Sequence, residues 1–87
     1  MPAKRVVYVL KSHCEPPNFY VGITSAIQDR LADHNAGRCP HTVRHRPWSL
    51  HVTIEFATEE TALRFERYLK SGSGRAFAKR HFAAGAP

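Results

Sequence analysis

The sequence predicts an α+β fold in which a small three-stranded, mainly antiparallel sheet is flanked by helices, in the order β-β-α-β-α-α. Three short segments rich in β-branched and aromatic residues predict the strands. Three other segments carry the start signals, apolar spacing or breaking residues that delimit helices. A length of 87 residues is enough for one small core. We therefore expect a single domain over residues 1–87, with its core at about 5–82.

The first two strands are predicted to form a hairpin. Residues 4–11 are a β-branched and aromatic run with charged residues at both ends, and Phe19–Thr24 is a second such run. Between them, the segment 12–18 contains two prolines and an asparagine, which favour turns. Gly22, inside the second strand, indicates a bulge or the close approach of another group to the backbone.

A helix and a long basic loop are predicted to follow the hairpin. Ser25 is a suitable N-cap for a helix that runs to about Asn35, and Gly37 is placed to end it. The segment 38–48 contains two prolines and several basic residues, so it predicts a loop.

The remainder of the chain predicts one strand and two helices. Residues 49–56 form a half-exposed strand, because their apolar side chains alternate with polar ones and share one face: Leu50, Val52, Ile54 and Phe56. A threonine cap and an acidic first turn predict a helix over about 58–70. The Ser-Gly-Ser-Gly segment 71–74 interrupts it. A short basic helix over 75–82 and a frayed tail at 83–87 complete the prediction.

The charge balance favours a polyanionic partner. Thirteen Lys and Arg residues against seven Asp and Glu residues give a net charge of +6 with neutral histidines, and such cations release counterions when they neutralise phosphates. No apolar run approaches the roughly 20 residues that cross a bilayer, and two cysteines are too few for a disulfide framework. We expect a cytoplasmic protein that binds nucleic acid and not a membrane.

Three polar side chains lie on or beside the apolar faces of the predicted helices. Arg30 and His34 share one flank of the stripe formed by Ile27 and Leu31, which suits either a phosphate-binding pair or a structural pair at the core boundary. Glu66 lies within the apolar sector of the second helix. A carboxylate there is costly unless it is paired, protonated or bound to a metal. A salt bridge to Arg30 and a Mg²⁺ site are both open interpretations.

The polar residues of the hairpin and helices together resemble a known motif pair. Tyr8 and Tyr20 lie in the paired strands, where their rings are expected at neighbouring positions. The residues that resemble the signature of the GIY-YIG nuclease superfamily are Val6-Val7-Tyr8, Tyr20-Val21-Gly22-Ile23-Thr24, Arg30, His34-Asn35 and Glu66. The segment 65–82 is similar to the small stand-alone subfamily. The resemblance covers about residues 5–82.

This resemblance implies metal-dependent hydrolysis of phosphodiester bonds, in DNA rather than RNA. Glu66 is then expected to hold Mg²⁺ (or Mn²⁺), and Arg30 to pair with the scissile phosphate. Tyr8 is expected to be the base, with His34 nearby, and Tyr20 to position the phosphate. A free tyrosine is a poor base at neutral pH, so nearby positive charge is expected to lower the Tyr8 pKa.

The resemblance also implies residues that position the substrate. Gly22 is expected to let the backbone approach the substrate or the packed helix. Many members carry an asparagine after the metal-binding glutamate; this sequence has none there, and we expect Lys70 or Lys79 in its place. Arg75 and Lys79 are expected to contact the nucleic-acid backbone, and the amides of residues 72–74 to receive a phosphate.

Two other functions remain open at this point. The first is a nucleic-acid-binding module that keeps the fold without catalysis, which the missing asparagine permits. The second is a protein-interaction adaptor that uses Trp48 and the basic loop. For a nuclease, we expect a structure-selective or weakly specific enzyme of DNA repair or recombination, whose target choice depends on DNA structure, a partner or a homodimer.

Overall fold

The computed structural model describes residues 2–82, so the frayed tail predicted at 83–87 lies outside the described residues. The elements are β1 (Val6–Ser12), β2 (Phe19–Thr24), α1 (Ile27–Asn35), a 3₁₀ turn (Val43–His45), β3 (Trp48–Glu55), α2 (Glu59–Leu69) and α3 (Gly72–His81). The predicted α+β class and the order of the elements are confirmed. No helix within residues 2–82 has the length and apolar character needed to cross a membrane.

The three strands form one sheet with β1 at its centre. The order is β2-β1-β3, and β1 pairs antiparallel with both neighbours. Tyr8 lies opposite Gly22, and Leu10 lies opposite Tyr20. Because successive side chains of a strand point to opposite faces, Tyr8 and Leu10 share one face of the sheet, and Val7 and Val9 share the other.

Each face of the sheet has its own apolar cluster. The Val7–Val9 face packs with Ala62 and Leu69 of α2 and with Ala78 of α3. The opposite face carries the second cluster, whose members are Tyr8, Leu10, Trp48, Tyr20, Ile27 and Leu31. Helices α2 and α3 therefore cover one face of the sheet, and α1 lies on the other.

The prediction that all four apolar side chains of the third strand share one face is wrong. The register between β1 and β3 shifts between Val9 and Leu10, so that Val52 pairs with Val9 while Leu50 pairs with Leu10. Such a bulge places the two halves of a strand out of phase. Leu50 is consequently 36% exposed, whereas Val52 packs in the cluster of α2 and α3.

The start of α1 differs from the prediction, and its end confirms it. Ser25 does not cap the helix: the N-cap position is Ala26, without a side-chain hydrogen bond, and the Ala26 amide donates to Thr24 Oγ1. Gly37 follows the helix with φ 81°, which suits a residue without a side chain. The buried residue of α1 is His34, not Ile27 or Leu31.

Threonine and serine caps start the last two helices. Thr58 Oγ1 accepts a hydrogen bond from the Thr61 amide, as predicted for α2. Helix α3 begins at Gly72 and not at residue 75, because Ser71 Oγ accepts from the Gly74 amide at 3.1 Å. The break between α2 and α3 is therefore shorter than predicted. The Gly74 amide is already bonded, so a phosphate on the free amides of 72–74 is not supported at that residue.

Gly74 is expected to be essential for the packing of α3 against α2. It is buried, and a Cβ atom there would overlap the Tyr68 carbonyl and lie 2.6 Å from Leu69 Cα. We expect Gly74→Ala to lower the free energy of unfolding by about 1–3 kcal/mol, because the two backbones have to separate. Urea denaturation followed by circular dichroism measures this change.

Gly72 of the same helix supplies the control. A Cβ atom at Gly72 would meet nothing within 4 Å, so Gly72→Ala is expected to be neutral or to stabilise by up to about 1 kcal/mol. Equal losses of stability in both variants would contradict the close helix crossing.

Candidate active site

Tyr8 is the centre of a buried polar cluster between β1 and α1. Its side chain is 1% exposed, and its hydroxyl oxygen lies 2.8 Å from His34 Nε2. Arg30 Nε donates to the same oxygen at 3.4 Å. Arg30 and His34 reach Tyr8 together because residues four apart lie on one side of a helix. The structure thus brings three of the predicted catalytic residues into direct contact.

Gly22 makes room for the Tyr8 ring. A Cβ atom on Gly22 would lie 2.9 Å from Tyr8 Cε1 and closer still to the hydroxyl oxygen. The ring can therefore lie across its strand partner only if that partner has no side chain. The predicted approach of substrate or helix to Gly22 is corrected accordingly: the group that approaches its backbone is the phenol of Tyr8.

The hydrogen bonds around His34 assign its tautomer. Thr42 Oγ1 donates to the Cys39 carbonyl at 3.4 Å, so it accepts from His34 Nδ1–H at 2.7 Å. The proton then lies on Nδ1, and Nε2 is free to accept from the Tyr8 hydroxyl. Sequence reasoning missed Thr42, because nothing in a basic loop sets one threonine apart.

Burial keeps both members of the Tyr8–His34 pair neutral. Burial, followed by the positive charge of Arg30, lowers the pKa of His34. Burial raises the pKa of Tyr8, although the hydrogen bond and charge of Arg30 act in the opposite direction. The prediction that nearby positive charge lowers the Tyr8 pKa is therefore wrong for the charges that the protein itself supplies. The cost of desolvating the phenolate exceeds the stabilisation that one partly exposed guanidinium gives it.

Tyr20, on the edge strand β2, is the fourth predicted catalytic residue, and it lies next to the Tyr8 cluster. Its ring centroid lies 5.1 Å from that of His34 and 6.4 Å from that of Tyr8, which confirms the expected neighbouring positions. Tyr20 is only partly buried. Because β2 is the outer strand of the sheet, Tyr20 is placed at the border between the cluster and the surface.

Trp48 anchors the basic loop against the cluster. It is 4% exposed, and its Nε1 donates to the Thr42 carbonyl at 2.9 Å. Its backbone amide donates to Asn35 Oδ1 at 2.7 Å, and its carbonyl accepts from Asn35 Nδ2 at 3.0 Å. A buried Trp48 is not available for an adaptor surface. It positions the loop that carries Thr42.

Glu66 lies on the opposite side of the sheet, on α2, and pairs with Lys70. The predicted alternative partner, Arg30, is wrong. The Glu66 side chain is 13% exposed, and none of the described hydrogen bonds or ion pairs joins it to Tyr8, Arg30 or His34. Within residues 2–82 there is no group of three His, Cys, Asp or Glu residues that could hold a metal. A single carboxylate is nevertheless compatible with Mg²⁺, which retains several waters.

A cavity lies beside the edge strand, among residues of the face that α2 and α3 cover. It has a volume of about 520 Å³ and lies between the first half of β2 and the junction of α2 and α3. Tyr20 lines it together with the three cations predicted to position substrate, Lys70, Arg75 and Lys79. Tyr20 thus belongs to both the Tyr8 cluster and the cavity, and Lys70 links the cavity to Glu66.

These features define a small α+β domain with a buried tyrosine, histidine and arginine cluster on one face of the sheet and a cation-lined cavity beside its edge strand. The family model of the GIY-YIG catalytic domain matches residues 4–80. The chain belongs to the GIY-YIG nuclease family.

Curated relatives are similar over most of this chain. The UPF0213 protein of Staphylococcus haemolyticus is 35% identical over 72 residues, which cover 82% of this chain and 85% of that protein. The UPF0213 protein of Streptococcus pneumoniae serotype 4 is 37% identical over 71 residues, covering 80% and 70%. The structure-specific endonuclease subunit SLX1 of Scheffersomyces stipitis is 38% identical over 73 residues, covering 76% of this chain but only 22% of that protein. No solved structure significantly matches the chain.

The Thr42 hydroxyl is expected to fix the tautomer of His34. Thr42→Val keeps the shape but leaves the buried Nδ1–H unpaired, which costs about 1–3 kcal/mol of the free energy of unfolding. Thr42→Ser keeps the hydroxyl. We expect the ¹⁵N chemical shifts of the His34 ring to report the Nδ1-protonated form in wild type and Thr42→Ser, and a changed form in Thr42→Val. Identical ring shifts in all three proteins would contradict this role.

His34 is expected to make stability depend on pH. Its pKa is lowered in the folded state from about 6.5 in the unfolded chain, so below about pH 6.5 the unfolded state binds a proton that the folded state excludes. Wild type should therefore lose stability relative to His34→Gln as the pH falls, by up to about 1.4 kcal/mol per pH unit. Urea denaturation between pH 5 and 8 measures this. The exposed His41→Gln should keep the wild-type slope, and the same slope in His34→Gln would refute the assignment.

Proposed function

We propose that this chain is an endonuclease that hydrolyses phosphodiester bonds in DNA with the help of Mg²⁺ or Mn²⁺. The observation that carries this proposal is the contact of one buried phenol with both an imidazole and a guanidinium, at 2.8 and 3.4 Å. Membership of the GIY-YIG family supports it. The name of the relative from Scheffersomyces stipitis, a structure-specific endonuclease subunit, supports a structure-selective activity, and we propose a role in DNA repair or recombination.

Tyr8 and His34 form the proton-accepting unit in this proposal. The attacking water transfers a proton to the Tyr8 oxygen while the Tyr8 hydroxyl proton passes to His34 Nε2, 2.8 Å away. His34 has a lone pair on Nε2 for this proton, because burial and the charge of Arg30 lower its pKa and so favour the uncharged ring. Thr42 holds the Nδ1–H throughout. Since Tyr8 is 1% exposed, the water reaches it beside its partly exposed neighbours, Arg30 and Tyr20.

Arg30 is proposed to bind the scissile phosphate. Its Nε donates to Tyr8, and within residues 2–82 its two Nη groups have no hydrogen-bond partner in the protein. A guanidinium with free Nη groups can donate two parallel hydrogen bonds to a phosphate. Arg30 would thereby hold the phosphate at a fixed position relative to the Tyr8 hydroxyl and stabilise the charge of the transition state.

Glu66 is the residue proposed to hold the divalent cation. When bound, such a cation supplies charge stabilisation for the phosphate and for the leaving oxygen. The Lys70 ammonium pairs with one carboxylate oxygen of Glu66 and leaves the other for a cation. Because a bound cation would repel the ammonium, Lys70 is expected to move away and to pair with the DNA backbone from the cavity that it lines. The same Glu66–Lys70 pair favours the alternative of a binding module without turnover, if the lysine does not leave.

The cleavage test uses a branched DNA with one labelled strand, incubated with Mg²⁺ or with EDTA. We expect cleavage with Mg²⁺ only. Glu66→Gln is expected to reduce the rate at least about 100-fold, because a cation worth several kcal/mol to the transition state is lost. Glu60→Gln is the matched control, since Glu60 lies on the same helix, is exposed, and pairs only with Arg64 among the described residues.

Three results would decide against this function. Cleavage that persists in EDTA would exclude the cation. Full activity of Glu66→Gln would exclude Glu66 as its ligand. Wild type that shifts the DNA but never nicks it with any divalent ion would establish the binding module instead.

A further inference from the structure

The cavity beside β2 has the size and the floor of a small-molecule site. Its volume of about 520 Å³ falls within the range of roughly 300–1,000 Å³ that is typical of ligand pockets. The floor is apolar and joins four elements, through Val9 of β1, Val21 of β2, Leu69 of α2 and Ala78 of α3. A flat, apolar ring system could contact such a floor.

The rim of the cavity is cationic. Lys70, Arg75 and Lys79 line it and are all exposed. Lys70 pairs with Glu66, whereas no carboxylate within residues 2–82 pairs with Arg75 or Lys79. Cations without acidic partners at the mouth of an apolar cavity are complementary to a ligand that has a negative group attached to an apolar part.

The wall formed by β2 supplies hydrogen-bonding groups and one aromatic residue of the α2/α3 side, Phe19. As an edge strand, β2 has outward N–H and C=O groups that pair with no other strand. Asn18, Phe19 and Tyr20 also line the cavity, while the Tyr20 ring contacts His34 on the α1 face. Together with the floor and the rim, these groups match the three parts of a nucleotide: the face of a base, its polar edge and its phosphate.

We propose that this cavity binds the base of an unpaired nucleotide whose phosphates pair with Arg75 and Lys79, and also with Lys70 once it leaves Glu66. Tyr20 lines the cavity and also contacts the Tyr8–His34 cluster, so this nucleotide adjoins the scissile phosphate. The cleavage part of this inference rests on the proposed function. The inference identifies DNA with an unpaired nucleotide at the cleavage position as the preferred substrate class, because a paired base would first have to leave its stack.

The test measures binding in EDTA, so that it does not depend on cleavage. Fluorescence anisotropy compares a labelled duplex carrying one unpaired adenine nucleotide with the same duplex carrying an abasic residue at that position. The two DNAs have the same phosphates. Wild type is expected to bind the first about tenfold more tightly, as for a base that stacks in a protein pocket. Equal affinities for the two DNAs would overturn the proposal.

Substitutions of two alanines in α3 test whether this preference arises in the cavity. Ala78→Ile fills the floor and is expected to reduce the preference to less than twofold, while Ala76→Ile, on the exposed side of α3, should keep it. A folded Ala78→Ile with the wild-type preference would exclude the cavity as the site. If Ala78→Ile does not fold, the double variant Arg75→Gln/Lys79→Gln is measured instead. It should bind both DNAs less tightly and with a weaker salt dependence. Unchanged affinity and salt dependence would exclude the rim as a phosphate-binding surface.

Cleavage assays separate this inference from the proposed function. Base-dependent binding without any cleavage supports the cavity while the endonuclease function fails. Cleavage of the adenine and abasic DNAs at equal rates and with equal affinities overturns the cavity while the endonuclease function stands.

Discussion

The structure depends most on the hydrogen bond between the Tyr8 hydroxyl and His34 Nε2, which joins the central strand to α1 inside an apolar layer. A buried phenol and a buried imidazole each cost free energy unless their polar atoms have partners. Within residues 2–82 every buried side-chain nitrogen or oxygen has such a partner. The partners of this pair come from α1 and from the basic loop. The loop and the helix therefore have to be placed together, because neither alone satisfies the pair.

This requirement explains features that otherwise look unrelated. Gly22 is needed so that the Tyr8 ring can lie across its strand partner. The indole of Trp48 and the side-chain amide of Asn35 fix the loop, since each bonds to backbone atoms at its ends. The loop then presents the Thr42 hydroxyl to His34. The protonation states meet the same requirement. Because the imidazole is neutral and the phenol is protonated, the pair buries no unpaired ion.

The element order could be predicted from the sequence, because local periodicity and capping residues report it directly. The spacing of Arg30 and His34 placed them together on one flank of α1, and the resemblance to the GIY-YIG superfamily supplied the role expected of Tyr8. Other features could not be predicted, because they depend on tertiary contacts. The bulge that exposes Leu50 follows from pairing with β1. Ser71 caps α3 although two glycines follow it, since Gly74 allows α3 to pack closely on α2. Thr42 becomes significant only when the loop folds onto α1.

The position of β2 at the sheet edge explains how the proposed site, whose residues lie on two faces of the sheet, could act on one substrate. The Tyr8 cluster lies on the α1 face, and the Glu66–Lys70 pair lies on α2, which covers the other face. A central strand would separate them. Because β2 is the outer strand, a nucleic-acid strand that follows its edge can reach both faces, and Tyr20 lies where they meet. A flexible single strand makes such a turn at less cost than a stiff duplex, which agrees with a pocket for an unpaired nucleotide.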